Sequence, residues 1–229
     1  MYVILVRLTV GFIYQSMRLF LICLLLCVNS ANAEPSGILA VGDSVLAWHK
    51  WTGRDIPSEM GRALGTKVKN AAVPRARFLD FSQSGRRTVQ TQYQSGPWDI
   101  VLMDGGANDL LAGCRCRDCD AILNLLIDKN LKGAVPEFIN RVRSDGVQVV
   151  WMGYYASYRS GRFAGCRPYL IEYDARIEKL AKQTSNFLFV DSEFAIDNND
   201  RSLFALDGIH PSSRGTRLIG TFLANALLQ

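Results

Sequence analysis

Several things are scarce or missing in this chain, and each narrows its class. No segment repeats and no run is of low complexity, which argues against solenoids and propellers. Histidine is rare: 229 residues hold two, His49 and His210. A one-sided charge is lacking too. The formal net charge of +5 comes without a clustered basic patch, too weak a balance for a nucleic-acid binder. The length suits one domain with its own core rather than two. A hydrophobic share of 48% and a charged share of 21% place the chain among ordinary globular proteins.

Acidic residues are absent from the first 33 positions, whose only charges are Arg7 and Arg18. Residues 19–28 (LFLICLLLCV) form an apolar run of signal-peptide length, too short to span a bilayer. Met17-Arg18 precedes it as a basic start and an alternative translation start. Ala31-Asn32-Ala33 follows it with the small-x-small pattern of a cleavage site. We therefore expect residues 1–33 to be a cleaved signal and residues 34–229 to be one exported domain, periplasmic or secreted. A membrane anchor from residue 2 to 28 would carry Arg7, Gln15 and Arg18 at a cost of a few kcal/mol for each central charge. A lipid-modified Cys27 would follow Leu26, where a small residue is the norm. Loss of 1–33 lowers the net charge to +3, since it takes two arginines and no acid.

Cys23 and Cys27 leave with the signal, and Cys114, Cys116, Cys119 and Cys166 stay. An even number in an exported chain points to two disulfides, with three pairings open. At least one bond is expected from Cys166 to the 114–119 cluster. Four thiolates also suit tetrahedral zinc, but C-x-C-x-x-C is not a familiar zinc spacing.

Apolar runs alternate with amphipathic stretches. Buried strands are expected at 38–41, 99–104 and 147–155, and further strands at 67–73 and 187–190. Helices are expected at 45–64 with a break near Gly53, at 86–93, at 119–143 with a break at Gly133 or Pro136, at 168–182, and at 213–228 with Ser212 or Ser213 as cap. About five alternations argue for a parallel sheet with helices on both faces. Ligands in such folds sit beyond the carboxyl ends of the strands.

Three polar blocks fall at those ends. Gly42-Asp43-Ser44 follows the first strand. Gly105-Gly106-Ala107-Asn108-Asp109 follows the central one. Asp207-Gly208-Ile209-His210 lies between the last strand and the last helix. A serine hydroxyl needs a base, and a histidine base needs a partner that fixes its tautomer. Asp207, three residues before His210, can turn its carboxylate toward the ring. Asn108 and the Ser44 N–H can serve an oxyanion.

These blocks resemble those of the SGNH/GDSL hydrolase family: GDS at 42–44, GAND at 106–109 and DGIH at 207–210, in the family's order and over essentially the whole mature chain. The resemblance implies a flavodoxin-like three-layer α/β/α sandwich with about five parallel strands. It implies Ser44 as nucleophile, His210 as base and Asp207 as its orienting acid. Ser44 N–H and Asn108 would belong to the oxyanion hole. The family's second-block glycine falls on or near Arg75, whose N–H could still donate; Gly85 is a less natural match.

Other residues are weighed beside these. Asp43 and Asp109 read as structural. His49, one turn beyond Ser44, reads as an exposed helix position rather than the base. Tyr154 and Tyr155 follow a strand and are candidates for substrate contact, as Trp48, Trp51 and Tyr158 could be, while Trp151 reads as core. Arg159, Arg162 and Arg167 could meet an anionic substrate or simply be solvated. A disulfide at Cys166 would brace their loop beside Asn108.

The reading is an ester hydrolase working through an acyl-enzyme, without metal or organic cofactor. Its substrate is a small-molecule or glycan ester, and short acyl groups on carbohydrate are favoured. Nothing in the sequence points to a protein partner, and none of the mature chain to a membrane segment. An O-acetyltransferase, a lipid esterase or lysophospholipase, a non-catalytic carbohydrate-binding domain of the same fold and, more remotely, a metal-binding or thiol-redox protein are the alternatives.

Overall fold

A computed structural model describes residues 37–80, 88–159 and 161–229. The expected signal segment and Gly85 lie outside the described residues. Strands β1 (Gly37–Val41), β2 (Lys67–Asn70), β3 (Trp98–Met103), β4 (Gln148–Gly153) and β5 (Phe187–Asp191) form one sheet in the order β2-β1-β3-β4-β5. Every neighbouring pair is parallel.

Successive strand residues point to opposite faces, and the apolar runs fill both. Ile38, Ala40, Leu102, Val150 and Met152 enter one core with Ile56 and Met60 of α2 (Ile56–Leu64) and Ile219 and Leu223 of α7 (Ser213–Leu227). Leu39, Val41, Val101, Met103, Val149 and Trp151 enter the other. There they meet α4 (Asp120–Leu126), α5 (Ala134–Arg143) and α6 (Arg167–Lys182). Each fully buried aliphatic side chain contributes about 1.5–3 kcal/mol. The outcome is a three-layer α/β/α sandwich with five parallel strands. β2 closes one edge with Lys67 and Lys69 exposed, which discourages pairing with another chain.

The expected elements recur with shifted ends. The 45–64 helix is two helices: α1 (Ser44–Ala47) stops at once, a 3-10 turn covers Lys50–Thr52, and α2 restarts behind Asp55, which caps Ser58 N–H. Gly53 stands in the left-handed region at the break. β2 ends at Asn70, not at 73, and β4 ends at Gly153, so Tyr154 and Tyr155 stand beyond it. Of the expected 86–93 helix, the described part is a 3-10 turn at Val89–Gln92. Helix α3 (Ala107–Cys114) was hidden inside a motif. The 119–143 stretch breaks at Gly133. Ser212 caps α7 by accepting from Gly215 N–H.

The strand order reverses between β1 and β3, and ligands bind in the crevice at such a switch point. Gly42 and Asp104 directly follow these two strands, and the polar blocks at 42–44 and 207–210 meet there.

Candidate active site

The turn after β1 is held from several sides. Gln92 closes on Gly42 with both ends of its amide, its Oε1 accepting the Gly42 N–H at 2.7 Å and its Nε2 donating to the Gly42 carbonyl at 2.9 Å. Asp104 Oδ1 accepts the Asp43 N–H at 2.7 Å. A Cβ on Gly42 would stand 1.8 Å from that same oxygen, so only glycine allows this approach. Asp43 caps α1 by accepting from Val45 N–H, which leaves Ser44 as the first helical residue, its own N–H without an acceptor inside the helix.

The acids beneath the serine are buried. Burial pushes the Asp104 carboxyl well above the usual range, and neighbouring Asp43 adds to the rise. Burial also raises Asp43, against hydrogen bonds from Val45 N–H and the Tyr154 hydroxyl. That hydroxyl donates to Asp43 Oδ2 at 2.7 Å. Asp43 and Asp104 thus brace the turn, in keeping with the structural role expected of Asp43.

The 207–210 loop reaches the same point. Asp207 Oδ1 accepts the N–H groups of Ile209 and His210, both at 3.0 Å, and its Oδ2 stands 2.6 Å from His210 Nδ1. His210 Nε2 lies 2.9 Å from Ser44 Oγ. Burial raises the Asp207 carboxyl, but the ring and the two backbone donors outweigh it and hold the group below its ordinary range. An ionised Asp207 accepts a hydrogen bond from Nδ1–H, which keeps the ring proton on Nδ1 and leaves Nε2 free to accept from the serine hydroxyl. His49, the other histidine, sits in a left-handed turn with a buried Nε2.

One contact escaped the sequence reading. The Trp48 indole stacks on the His210 ring with centroids 4.0 Å apart and planes within 6°. A face counted as available to a substrate is therefore occupied by the imidazole, which it holds in plane. A side chain four residues past the nucleophile motif carries no sequence signal for this.

Asn108 lies on the first turn of α3, its Nδ2 3.2 Å from Asp43 Oδ2 and 3.3 Å from the Ala76 carbonyl. Both are long hydrogen bonds. Gly106 starts this helix where a Cβ would meet the Tyr173 ring at 2.7 Å. Asp109 points away and accepts from Phe78 N–H at 3.1 Å and Leu79 N–H at 2.7 Å. Arg75 occupies the left-handed region at φ 66°, a conformation that favours glycine, and it borders a cleft with Asn108.

Asp109 supports two stability expectations. Asp109→Ala strands two backbone donors, one of them fully buried, and should cost about 2–4 kcal/mol in urea unfolding. Asp109→Asn, keeping one acceptor, should cost less. Burial lifts this carboxyl to about 7, against the pull of the Leu79 and Phe78 donors. The folded value exceeds the unfolded one, so its contribution is full below about pH 4 and fades as pH rises through about 7. Wild-type stability should fall over that window more steeply than that of Asp109→Asn.

Tyr154 and Tyr155 border a pocket of about 490 Å³, partly open to solvent, that includes Ser44, Val45, Ala107, Phe163, Leu170, Ile209 and His210. Their hydroxyls are committed elsewhere, Tyr155 donating to the Ile209 carbonyl at 3.0 Å, so they offer ring surface rather than polar contacts. Trp151 is buried, as expected. Arg167 pairs with Glu193 and donates to the Tyr154 carbonyl. Arg159 packs over Gly208 and donates its N–H to the Gly208 carbonyl at 2.9 Å. These two are structural, and Arg162 is exposed.

The cysteines pair as Cys114–Cys119 and Cys116–Cys166. The second bond ties the loop before α6 to the end of α3. Arg115, Cys116 and Asp118 all have positive φ, at roughly 1–2 kcal/mol each. The 154–166 loop thus touches Cys116 at one end and the 207–210 loop through Tyr155 and Arg159. Cys166→Ser should lower kcat/KM by about tenfold or more, since small misplacements of a catalytic loop are costly. Circular dichroism at the assay temperature should remain native. Undiminished activity would show that the tie does not brace the site.

Among the described residues, no helix is long and apolar enough to cross a membrane. No curated protein sequence matches the chain. Similar solved structures include a member of the lipolytic G-D-S-L family from Veillonella parvula, 16% identical with a TM-score of 0.60, covering 84% of this chain and 96% of that one. A lipase from a goat rumen metagenome is 15% identical with a TM-score of 0.59, covering 83% and 97%. A family 3 carbohydrate esterase from Talaromyces cellulolyticus is 17% identical with a TM-score of 0.55, covering 85% and 97%. These share the fold. The model of the GDSL-like lipase/acylhydrolase family matches residues 40–218, and a match over that much of the sequence makes the chain a member of this family of ester hydrolases.

Proposed function

We propose that the protein is an exported serine esterase that removes short acyl groups from carbohydrate by way of an acyl-enzyme on Ser44. The reading rests on one alignment: Asp207 Oδ2, His210 and Ser44 Oγ in series at 2.6 and 2.9 Å. His210 Nε2 takes the hydroxyl proton as Oγ attacks the ester carbonyl carbon. The oxyanion is met by Ser44 N–H, Arg75 N–H and the Asn108 amide, whose two long bonds yield to a charged acceptor. Collapse breaks the bond to the alcohol, which leaves with the proton from His210. Water then gives a proton to His210 and attacks the acyl carbon, releasing the acid and restoring Ser44.

The apolar pocket at Ser44 suits a small acyl group. On the far side of Asp207 an open groove is bordered by Trp48, Trp51, Pro74 and Leu206. Trp51 is 98% exposed, a flat apolar face on which a sugar ring can stack. A family 3 carbohydrate esterase stands among the similar folds. Export is supported by the apolar leader with its Ala31-Asn32-Ala33 site and by the two disulfides.

A fluorophosphonate probe, followed by peptide mapping, tests the nucleophile: one adduct is expected, on Ser44. A panel of 4-nitrophenyl esters from acetate to palmitate and of acetylated glycans tests the substrate, with short acyl groups preferred. No adduct and no hydrolysis of any ester would end this reading.

A further inference from the structure

Beside Asn108 lies a second cleft of about 680 Å³, open to solvent and bordered by Arg75, Arg77, Asn108, Leu111, Ala112 and Arg162. Three of its lining residues are arginines, two from the segment after β2 and one from the 3-10 turn Gly161–Phe163. Among the described residues no carboxylate borders it. The charge of Arg77 already acts on Asp109. Arg75 and Arg162 form no ion pair and no hydrogen bond with a described residue; Arg162 only lies over the Phe163 ring, 5.4 Å from its centre. Like charges gathered in one concavity repel each other, and an anion relieves that repulsion. Guanidinium forks match a carboxylate, sulfate or phosphate in two parallel hydrogen bonds.

The cleft also has a defined place relative to the reaction. Asn108 belongs both to it and to the hydrogen-bonded group around Asp43, the residue before Ser44. Arg162 lies four residues before Cys166, whose disulfide to Cys116 ties this loop to the end of α3. Arg75 has its backbone turned into the left-handed region at the cleft wall. An ester held at Ser44 would therefore project one of its substituents toward these arginines.

We infer that Arg75 and Arg162 bind a negatively charged group of the substrate, so that the enzyme selects anionic esters over neutral ones. This rests on Ser44 as the nucleophile and adds the substrate's charge. The anion has two possible sources, the acyl part or the alcohol part, and both present the same chemistry.

Two pairs of substrates separate them. Acetylated galacturonate oligosaccharides against acetylated xylose oligosaccharides place the charge on the alcohol. The 4-methylumbelliferyl hydrogen glutarate ester against the butyrate places it on the acyl group. In one pair the charged substrate should win in kcat/KM by about tenfold or more at low salt, mostly through KM. Added sodium chloride should erode that advantage. Arg162→Glu should reverse it, read as the ratio within the pair so that a general loss of activity cancels. The inactive Ser44→Ala variant should bind the preferred anionic substrate with a Kd that weakens with salt. Ratios near one in both pairs, or a preference untouched by Arg162→Glu, would overturn the anion site and leave the esterase standing. Absence of both labelling and hydrolysis would overturn the two together.

Discussion

Ser44→Ala is expected to abolish turnover, with kcat on a short-chain ester falling by about 10⁴-fold or more. The covalent bond of the acyl-enzyme forms at Oγ alone, and among the described residues no other hydroxyl donates to His210 Nε2. A fall of that size is about 5.5 kcal/mol of transition-state stabilisation. The fold should be untouched: among the described residues Ser44 Oγ makes a hydrogen bond only with the imidazole, and alanine suits the first turn of α1. Rapid-mixing assays with 4-nitrophenyl acetate should show a burst of nitrophenol in the wild type when deacylation is slow, and none in the variant. Wild-type rates in Ser44→Ala would remove the nucleophile and the acyl-enzyme with it.

His210→Ala should fall comparably, and the two losses should not add. The imidazole is needed twice, once to activate Ser44 and once to activate water, and both steps pass through Nε2. Once Oγ cannot lose its proton, its removal costs little more. A Ser44→Ala/His210→Ala double variant should therefore retain nearly the rate of either single one, through the remaining binding and oxyanion contacts. Additive losses, approaching about 10⁸-fold together, would mean that the two residues act independently. Asp207→Asn offers a graded comparison. The amide cannot reproduce the ionised carboxylate that accepts a hydrogen bond from Nδ1–H, and the ring can settle in the unproductive tautomer. Its loss should be large yet smaller than that of His210→Ala.

Much of this site could be read from the chain, because the chemistry there is concentrated in short blocks at strand ends. Ser44 follows an apolar run that marks a buried strand, and Asp207 and His210, between the last strand and the last helix, are near enough in sequence for one Asx turn to join them. The central strands were legible from their apolar runs: β1 is buried throughout, β4 is buried from Val149 to Gly153, and β3 carries the run Ile100–Met103. What escaped was set by distant partners. Gln92 closes on Gly42 across 50 positions, and nothing local marks it. Trp48 reads as an ordinary aromatic until the 207–210 loop arrives over it. Residues 107–114 read as a motif, and the motif's small and polar residues masked a helix whose apolar side is short. The end of α1 at Ala47 has no breaker in sequence, and the left-handed turn falls on His49, a residue that periodicity does not mark.

The indole lying flat on the catalytic imidazole has an optical consequence. An excited indole loses its energy efficiently to a positively charged imidazole in van der Waals contact and far less to a neutral one. Trp48 is one of four tryptophans in the chain, so the emission of wild type minus that of Trp48→Phe isolates a single fluorophore pressed against the ring that shuttles the proton. Without any added dye, the molecule then reports from within when that ring holds two protons and when it holds one.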